Sequence, residues 1–175
     1  MRRRDPLASP EPLIRRVYAY AAYRLGDGPD AEDATSEVFE RALRYRHSYD
    51  ESRGLPEQWL IGIARRCVDD ALTARRASSV EAEDAPAPVD VEVEAVRRLA
   101  LAAALDKLDD RARDLVALRY AADLTARQIG ELLGMKTNAV EVALHRTLER
   151  LRQDLSGTRV DRPAAGGEPA PGVSP

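Results

Sequence analysis

Leu13, Ile14, Val17, Tyr18, Ala21 and Leu25 recur at the three- and four-residue intervals of one helix face, and Gly26 is placed to close that helix. Pro29-Asp30 opens a second helix, with Asp30 as its cap and Glu32 and Asp33 suiting the positive helix start. Its buried stripe is Ala34, Thr35, Val38, Phe39, Ala42 and Leu43. A polar loop runs from Arg46 to Gly54, and Pro56 then suits a first helical position. Trp59, Leu60, Ile63, Ala64, Cys67, Val68, Ala71 and Leu72 follow, the most regular amphipathic pattern in the chain. No period-two alternation competes with these patterns, so the first module reads as all-helical.

A second group of helices begins with Val96, Leu99, Ala100, Ala103 and Leu108, breaks near Asp109-Asp110, and resumes through Leu115, Val116, Leu118 and Ala122. Thr125 can cap a short helix carrying Ile129, Leu132 and Leu133, and Gly134 suits the left-handed turn that ends it. Met135 plugs the corner. Lys136 or Thr137 then opens a longer helix with the stripe Val140, Leu144, Leu148, Leu151 and Leu155. Short helix, glycine turn and long helix form the helix-turn-helix pattern, whose second helix can lie in a DNA major groove. The same pattern also occurs in helical bundles that never touch DNA. The polar face of the long helix (Lys136, Asn138, Glu141, His145, Arg146, Glu149, Arg150 and Arg152) has the side chains for base and phosphate contacts, although Glu141 and Glu149 repel phosphate.

Between the two modules, residues 80–94 hold six acidic side chains, no basic one and two prolines, and present no helical face. They read as a solvated acidic linker. The Gly/Pro-rich tail 157–175 reads as disordered. The expected organisation is all-α: a helical domain at 9–79, a flexible linker at 80–94, a second helical domain at 95–156, and the tail. Across 175 residues, 27 Lys/Arg against 30 Asp/Glu leave a net charge of −3, and most of the excess acid sits in the linker. An acidic total gives a nucleic-acid partner no easy support, yet does not exclude one.

Several function classes drop out. The longest uncharged apolar run, Leu99 to Leu105, is far short of the about 20 residues that cross a bilayer, so no membrane association is expected. No apolar stretch follows the opening arginines, which argues against a secretory signal and for a cytoplasmic protein. One cysteine and two histidines build neither a disulfide framework nor an ordinary zinc site. No glycine-rich phosphate loop or nucleophile triad is present, and Asp69-Asp70 has no histidine nearby, so neither enzymatic chemistry nor a cofactor or metal is expected.

Leu105-Asp106-Lys107-Leu108, Arg113, Leu118-Arg119-Tyr120, Leu124-Thr125, Ile129, Leu132-Leu133-Gly134, Ala139-Val140 and Leu144-His145-Arg146 resemble region four of the extracytoplasmic-function (ECF) RNA polymerase sigma factors. Leu25-Gly26-Asp27, Asp30-Ala31-Glu32-Asp33, Glu37-Val38-Phe39, Tyr49-Asp50, Arg53-Gly54, Trp59-Leu60 and Ile63-Ala64-Arg65 resemble region two of the same family. The resemblance covers roughly residues 12–155. It implies a sigma factor that binds core RNA polymerase and recognises promoter DNA; sigma domains are often masked by an anti-sigma factor, although nothing in the sequence identifies one. It also implies that Asp30, Asp33, Ser36, Glu37, Glu40 and Arg41 face the polymerase. Tyr49, Asp50, Arg53, Trp59, Arg65, Arg66, Arg75 and Arg76 would meet the melted promoter strand. Lys136, Thr137, Asn138, Glu141, Val142, His145 and Arg146 would read the upstream element.

Other readings compete at single positions. The acids of the second helix also suit plain solvation of a helix start, and Trp59 shares the Leu60/Ile63 stripe and so reads first as core. The chain also departs from the family pattern. Ala71-Leu72-Thr73-Ala74 stands where relatives are more basic, Glu141 and Ala143 replace basic residues, and Ser36 replaces a usual glutamine. These departures motivate an alternative, a sigma-like regulator that binds polymerase or a partner protein and reads DNA weakly or not at all. Cys67 lies on a buried stripe, which argues against redox sensing.

Overall fold

Three prolines start the first three helices. Pro10, Pro29 and Pro56 each stand at a helix's opening position, where the missing N–H would have had no intrahelical partner. The computed structural model describes residues 5–78 and 93–157. Its helices are α1 (Pro10–Leu25), α2 (Pro29–Tyr45), α3 (Pro56–Ser78), α4 (Val93–Asp106), α5 (Asp110–Val116), α6 (Ala126–Leu133) and α7 (Thr137–Gly157). A 3-10 turn at Arg46–Ser48 follows α2, and a π-helical turn at Ala117–Ala121 continues α5. No strand occurs among the described residues. Residues 79–92 and the tail beyond Gly157 lie outside them, so most of the expected linker and the expected disorder of 158–175 do too. Helix α4 begins at Val93, just inside the stretch read as linker.

Asp30 is not the cap of α2. The cap position is Gly28, whose carbonyl accepts from the amides of Ala31 and Glu32. Pro29, with its backbone already near the helical value, draws the start two residues earlier than a cap at Asp30 would put it. Asp30 instead lies exposed in the first turn, where its charge faces the positive helix end.

In the first module, α1 to α3 pack through Val17, Tyr20, Ala21 and Leu25, then Ala31, Ala34, Val38 and Ala42, then Leu60, Ile61, Ala64, Cys67 and Val68. The alanines of α2 carry the contact at its centre. Leu43 and Ile14, expected on buried stripes, are exposed at the stripe edges. In the second module, α4 and the turn after it lie on α7 through Ala104, Leu105 and Leu108 against Leu148 and Leu151, whereas Leu99 and Leu155, also expected on buried stripes, face solvent.

The turn between α6 and α7 is built by local chemistry. Thr125 and Gln128 form a reciprocal capping box at the start of α6, and Gly134 adopts the left-handed conformation expected of it. Gly130 has a different reason to be glycine. A Cβ there would come within 2.6 Å of the Met135 carbonyl, which folds back over α6.

The sequence patterns give no sign that the two modules touch, yet they share one hydrophobic core. Leu115, Ala117, Leu118, Ala122, Leu124, Ile129, Val140 and Leu144 of the second module are continuous with the buried residues of α1 to α3. The π-helical turn packs on α1, and α6 packs on α3.

Candidate nucleic-acid and partner interfaces

Helix α7 has two sides. Val140, Leu144, Thr147 and Leu151 are buried, while Lys136, Thr137, Asn138, Glu141, Val142, His145 and Arg146 are all exposed. The expected reading face is therefore one continuous, unburied surface. With Lys136 and Arg146 against Glu141 it is only weakly cationic, a face suited to reading base edges with little help from phosphate attraction.

The loop before α3 is more constrained. Tyr49 is buried, donates its hydroxyl hydrogen to the Gly54 carbonyl at 3.0 Å, and packs its ring 5.6 Å from that of Trp59 at a tilt of 57°. Asp50 accepts from both the amide and the hydroxyl of Ser52, a local turn that fixes the loop. Trp59 is half-buried: it packs on the core, as its stripe position suggested, and still borders a cleft. Asp50, Arg53, Gly62 and Arg66 line the same cleft, together with Glu131 and Leu132 from α6.

The arginines expected to meet phosphate differ in availability. Arg66 is exposed. Arg65 donates from Nε to Asp114 at 2.8 Å, Arg75 donates to the Leu25 carbonyl at 3.1 Å, and Arg76 pairs with Asp110. On α2, Asp30, Asp33, Ser36, Glu37 and Glu40 are exposed along one side. Arg41 is half-buried and pairs with Glu37 on its own helix and with Asp70 on α3. The Asp69-Asp70 pair thus serves arginines, Asp69 lying 3.9 Å from Arg24. Burial pushes the Cys67 thiol up from its ordinary value, which keeps it an unreactive thiol.

Three residues matter here that the sequence did not single out. Asp114, only 6% exposed, accepts from the Tyr20 hydroxyl at 2.6 Å as well as from Arg65. Burial and the Asp114 charge push the Tyr20 phenol far above its usual value, so it remains a donor. Gln58 reaches from α3 to Glu131 at 3.1 Å and to the Gln128 carbonyl at 3.4 Å. A signal for Asp114 existed. It is an acid one helical turn before Leu118, at the head of the apolar run from Leu115 to Leu118, so it falls on the buried face.

Among the described residues no group of three His, Cys, Asp or Glu side chains could hold a metal, and no helix is long and apolar enough to cross a membrane. The family description Sigma-70 region 2 matches residues 11–78, and Sigma-70, region 4 matches residues 98–151. The ECF RNA polymerase sigma factor ShbA of Streptomyces griseus is 32% identical over 161 residues, covering 85% of this chain and 84% of the relative. The chain belongs to the ECF sigma factors.

BldN of Streptomyces coelicolor, another ECF sigma factor, is also 32% identical over 149 residues, and this sigma factor spans 56% of its length. The fold is that of the sigma factor RpoE bound to the anti-sigma factor NepR from Bartonella quintana. That chain is 18% identical, with a TM-score of 0.66 over 84% of this chain and 94% of that one. CnrH, solved with the cytosolic domain of CnrY, gives 22% identity and a TM-score of 0.57 over 83% of this chain and 81% of that one. Sigma factors are non-enzymatic transcription initiation factors. This one binds RNA polymerase and recognises promoters.

Proposed function

We propose that this sigma factor divides its work among three surfaces on two domains, residues 9–79 and 95–156. The exposed side of α2, from Asp30 to Arg41, docks on core polymerase. The loop from Tyr49 to Trp59 and the basic side of α3 (Arg65, Arg66, Arg75 and Arg76) capture the unpaired promoter strand by stacking and phosphate contact. The α7 face from Lys136 to Arg146 reads the upstream duplex. No covalent step is required, because strand separation is driven by binding, and the chain works in the cytoplasm beside its polymerase. An anti-sigma protein is a natural further partner for these surfaces.

The observation that carries this reading is the division of α7, whose apolar stripe is spent inward while the seven reading residues remain exposed. Run-off transcription with purified core polymerase on a randomised promoter pool tests it. The expected result is enrichment of two spaced sequence elements. Templates recovered at random would overturn the reading. Changing Asp33 and Glu37 together to alanine should loosen polymerase association with helicity intact, and undiminished capture of polymerase would remove α2 from the interface.

A further inference from the structure

A second cleft, of about 590 Å³, lies where α1, α3, α4 and α5 meet, and Tyr23, Arg24 and Arg113 are among the residues that line it. Its volume falls within the range of small-ligand pockets. Among the described residues, three buried side-chain polar atoms make no hydrogen bond: the Tyr23 hydroxyl, Arg24 Nε and Arg113 Nε. All three side chains border this one cleft. A buried donor left without an acceptor is costly, and three around one space point to an acceptor that belongs there.

The surrounding groups fix the sign and the kind of that acceptor. Arg24 is the most enclosed, with its side chain 3% exposed. Its terminal nitrogens are only loosely engaged, one 3.3 Å from the Asp110 carbonyl and the other 3.9 Å from Asp69. Arg113 spends one terminal nitrogen on the carbonyls of Leu105, Asp106 and Leu108, which closes the end of α4 and leaves its Nε over. Burial pushes the Tyr23 phenol up, and the charges of Arg113 and Arg24 work against that rise, so a negative charge beside the hydroxyl is favoured by both. Arg75 and Arg76 stand exposed on the rim, bonded to the Leu25 carbonyl and to Asp110. Four arginines against two aspartates leave the lining a surplus of two positive charges, and Leu25, Leu72 and Leu105 give it an apolar side. A carboxylate brings two oxygens and one charge. A phosphate monoester brings three oxygens and nearly two charges, which matches three spare donors and that surplus.

We propose that this cleft binds a small phosphate ester, its oxygens accepting from the Tyr23 hydroxyl, Arg24 Nε and Arg113 Nε, and its organic part lying along Leu25, Leu72 and Leu105. The ligand touches α1 and α3 of the first module and α4 and α5 of the second, so its occupancy stabilises the whole fold. The site is separate from the α7 reading face, and it stands whether or not α3 captures a promoter strand.

The test titrates the full chain, in chloride buffer, with inorganic phosphate, adenosine monophosphate, glucose 6-phosphate and, as the phosphate-free control, adenosine. Calorimetry and melting temperature are the readouts. Inorganic phosphate should bind saturably and raise the melting temperature, at least one ester should bind about tenfold tighter, and adenosine should do neither. Tyr23→Phe removes a donor that has no partner in the free chain, so it should leave the unliganded melting temperature unchanged or higher and weaken the phosphate compounds about tenfold. Ala102→Glu places a carboxylate at an exposed position bordering the cleft and should abolish binding. Ala103→Glu, at the next exposed position of α4 and off the cleft lining, should not. Binding by none of the phosphate compounds, or binding unaltered in both Tyr23→Phe and Ala102→Glu, overturns the site. Esters no tighter than inorganic phosphate overturn the organic part of the assignment. A single-stranded oligonucleotide weakened by those same two variants, with the small phosphates failing to bind, would give the cleft to a nucleic-acid backbone and overturn the small ligand.

Discussion

The α3 and α7 faces both carry arginines that the proposed function assigns to DNA, and they hold them in opposite ways. On α7, Arg146 is exposed and Arg152 meets only Glu149 on its own surface, an exposed pair 3.7 Å apart that contributes little. On α3, Arg65 and Arg76 are held by carboxylates of the other module, and Arg75 by a backbone carbonyl. Composition alone would rate the α3 face as the better phosphate binder. The difference teaches that availability decides: a phosphate approaching Arg65 must compete with Asp114, whereas a base edge approaching Arg146 displaces only water. The weakly charged face is thus the accessible one.

The strongest way to break the comparison is to cut the core that the two modules share. Leu118 is fully buried in the second module at the turn that packs on α1. Leu118→Ala should cost about 2–5 kcal/mol, as large-to-small changes in tight cores do. The sole tryptophan, Trp59, lies in the first module and reports from the other side of the seam where the two modules meet. Urea unfolding followed by Trp59 fluorescence should therefore shift to lower midpoint together with the helical signal. A fluorescence midpoint that stays in place would mean that the modules unfold independently.

A smaller change sharpens the contrast between the faces. Arg146→Ala should weaken binding to the selected upstream duplex by about 1–3 kcal/mol if the guanidinium reads a base. Because the α7 face lies outside the seam, the loss should be equal in wild type and in an Asp114→Asn background, within the additivity expected of distant sites. Unequal losses, measured by titration of labelled duplex, would show that the Asp114 contact influences α7 after all.

The fold was legible where one chain segment carries its own signal. The apolar spacing of α1 to α3, the Thr125 cap and the left-handed Gly134 are local facts, and the structure repeats them. Gly28 in place of Asp30 as the α2 cap shows a local rule overridden by its neighbour, because Pro29 sets its own backbone angle. The seam was not legible for a different reason. Asp114 and Arg65 are 49 positions apart, and Gln58 and Glu131 are 73 apart, with nothing periodic to connect them. The candidate site residues could be named one by one, but whether each is open or held depends on partners that only the folded chain brings together. Leu43 and Leu99 missed the core for the milder reason that an apolar stripe is wider than the contact it makes.

The smallest effect is expected from acid, and its sign follows from one side chain. The hydrogen bond from Gln58, and after it the one from Arg127, holds the Glu131 carboxyl below the usual carboxylate range. A depressed value means that the contact contributes fully above the ordinary value of about 4.5 and fades as pH falls through the lowered one. Around it stand Arg127 on its own helix and, across the cleft, Gln58, Asp50, Arg53, Arg65 and Arg66, so protonation also leaves the arginine side of the seam less well balanced. Acidification should therefore lengthen the distance between labels on the two modules by a small amount, and only on the acid side of that range. Other carboxylates titrate there too, which makes Glu131→Gln the reference. Its separation should change less with pH than that of wild type, and the gap between the two curves is the part owed to Glu131. Superimposable curves would show that the contact between Gln58 and Glu131 does not help hold α6 over α3, leaving the seam to Asp114 and to Leu132 against Gly62.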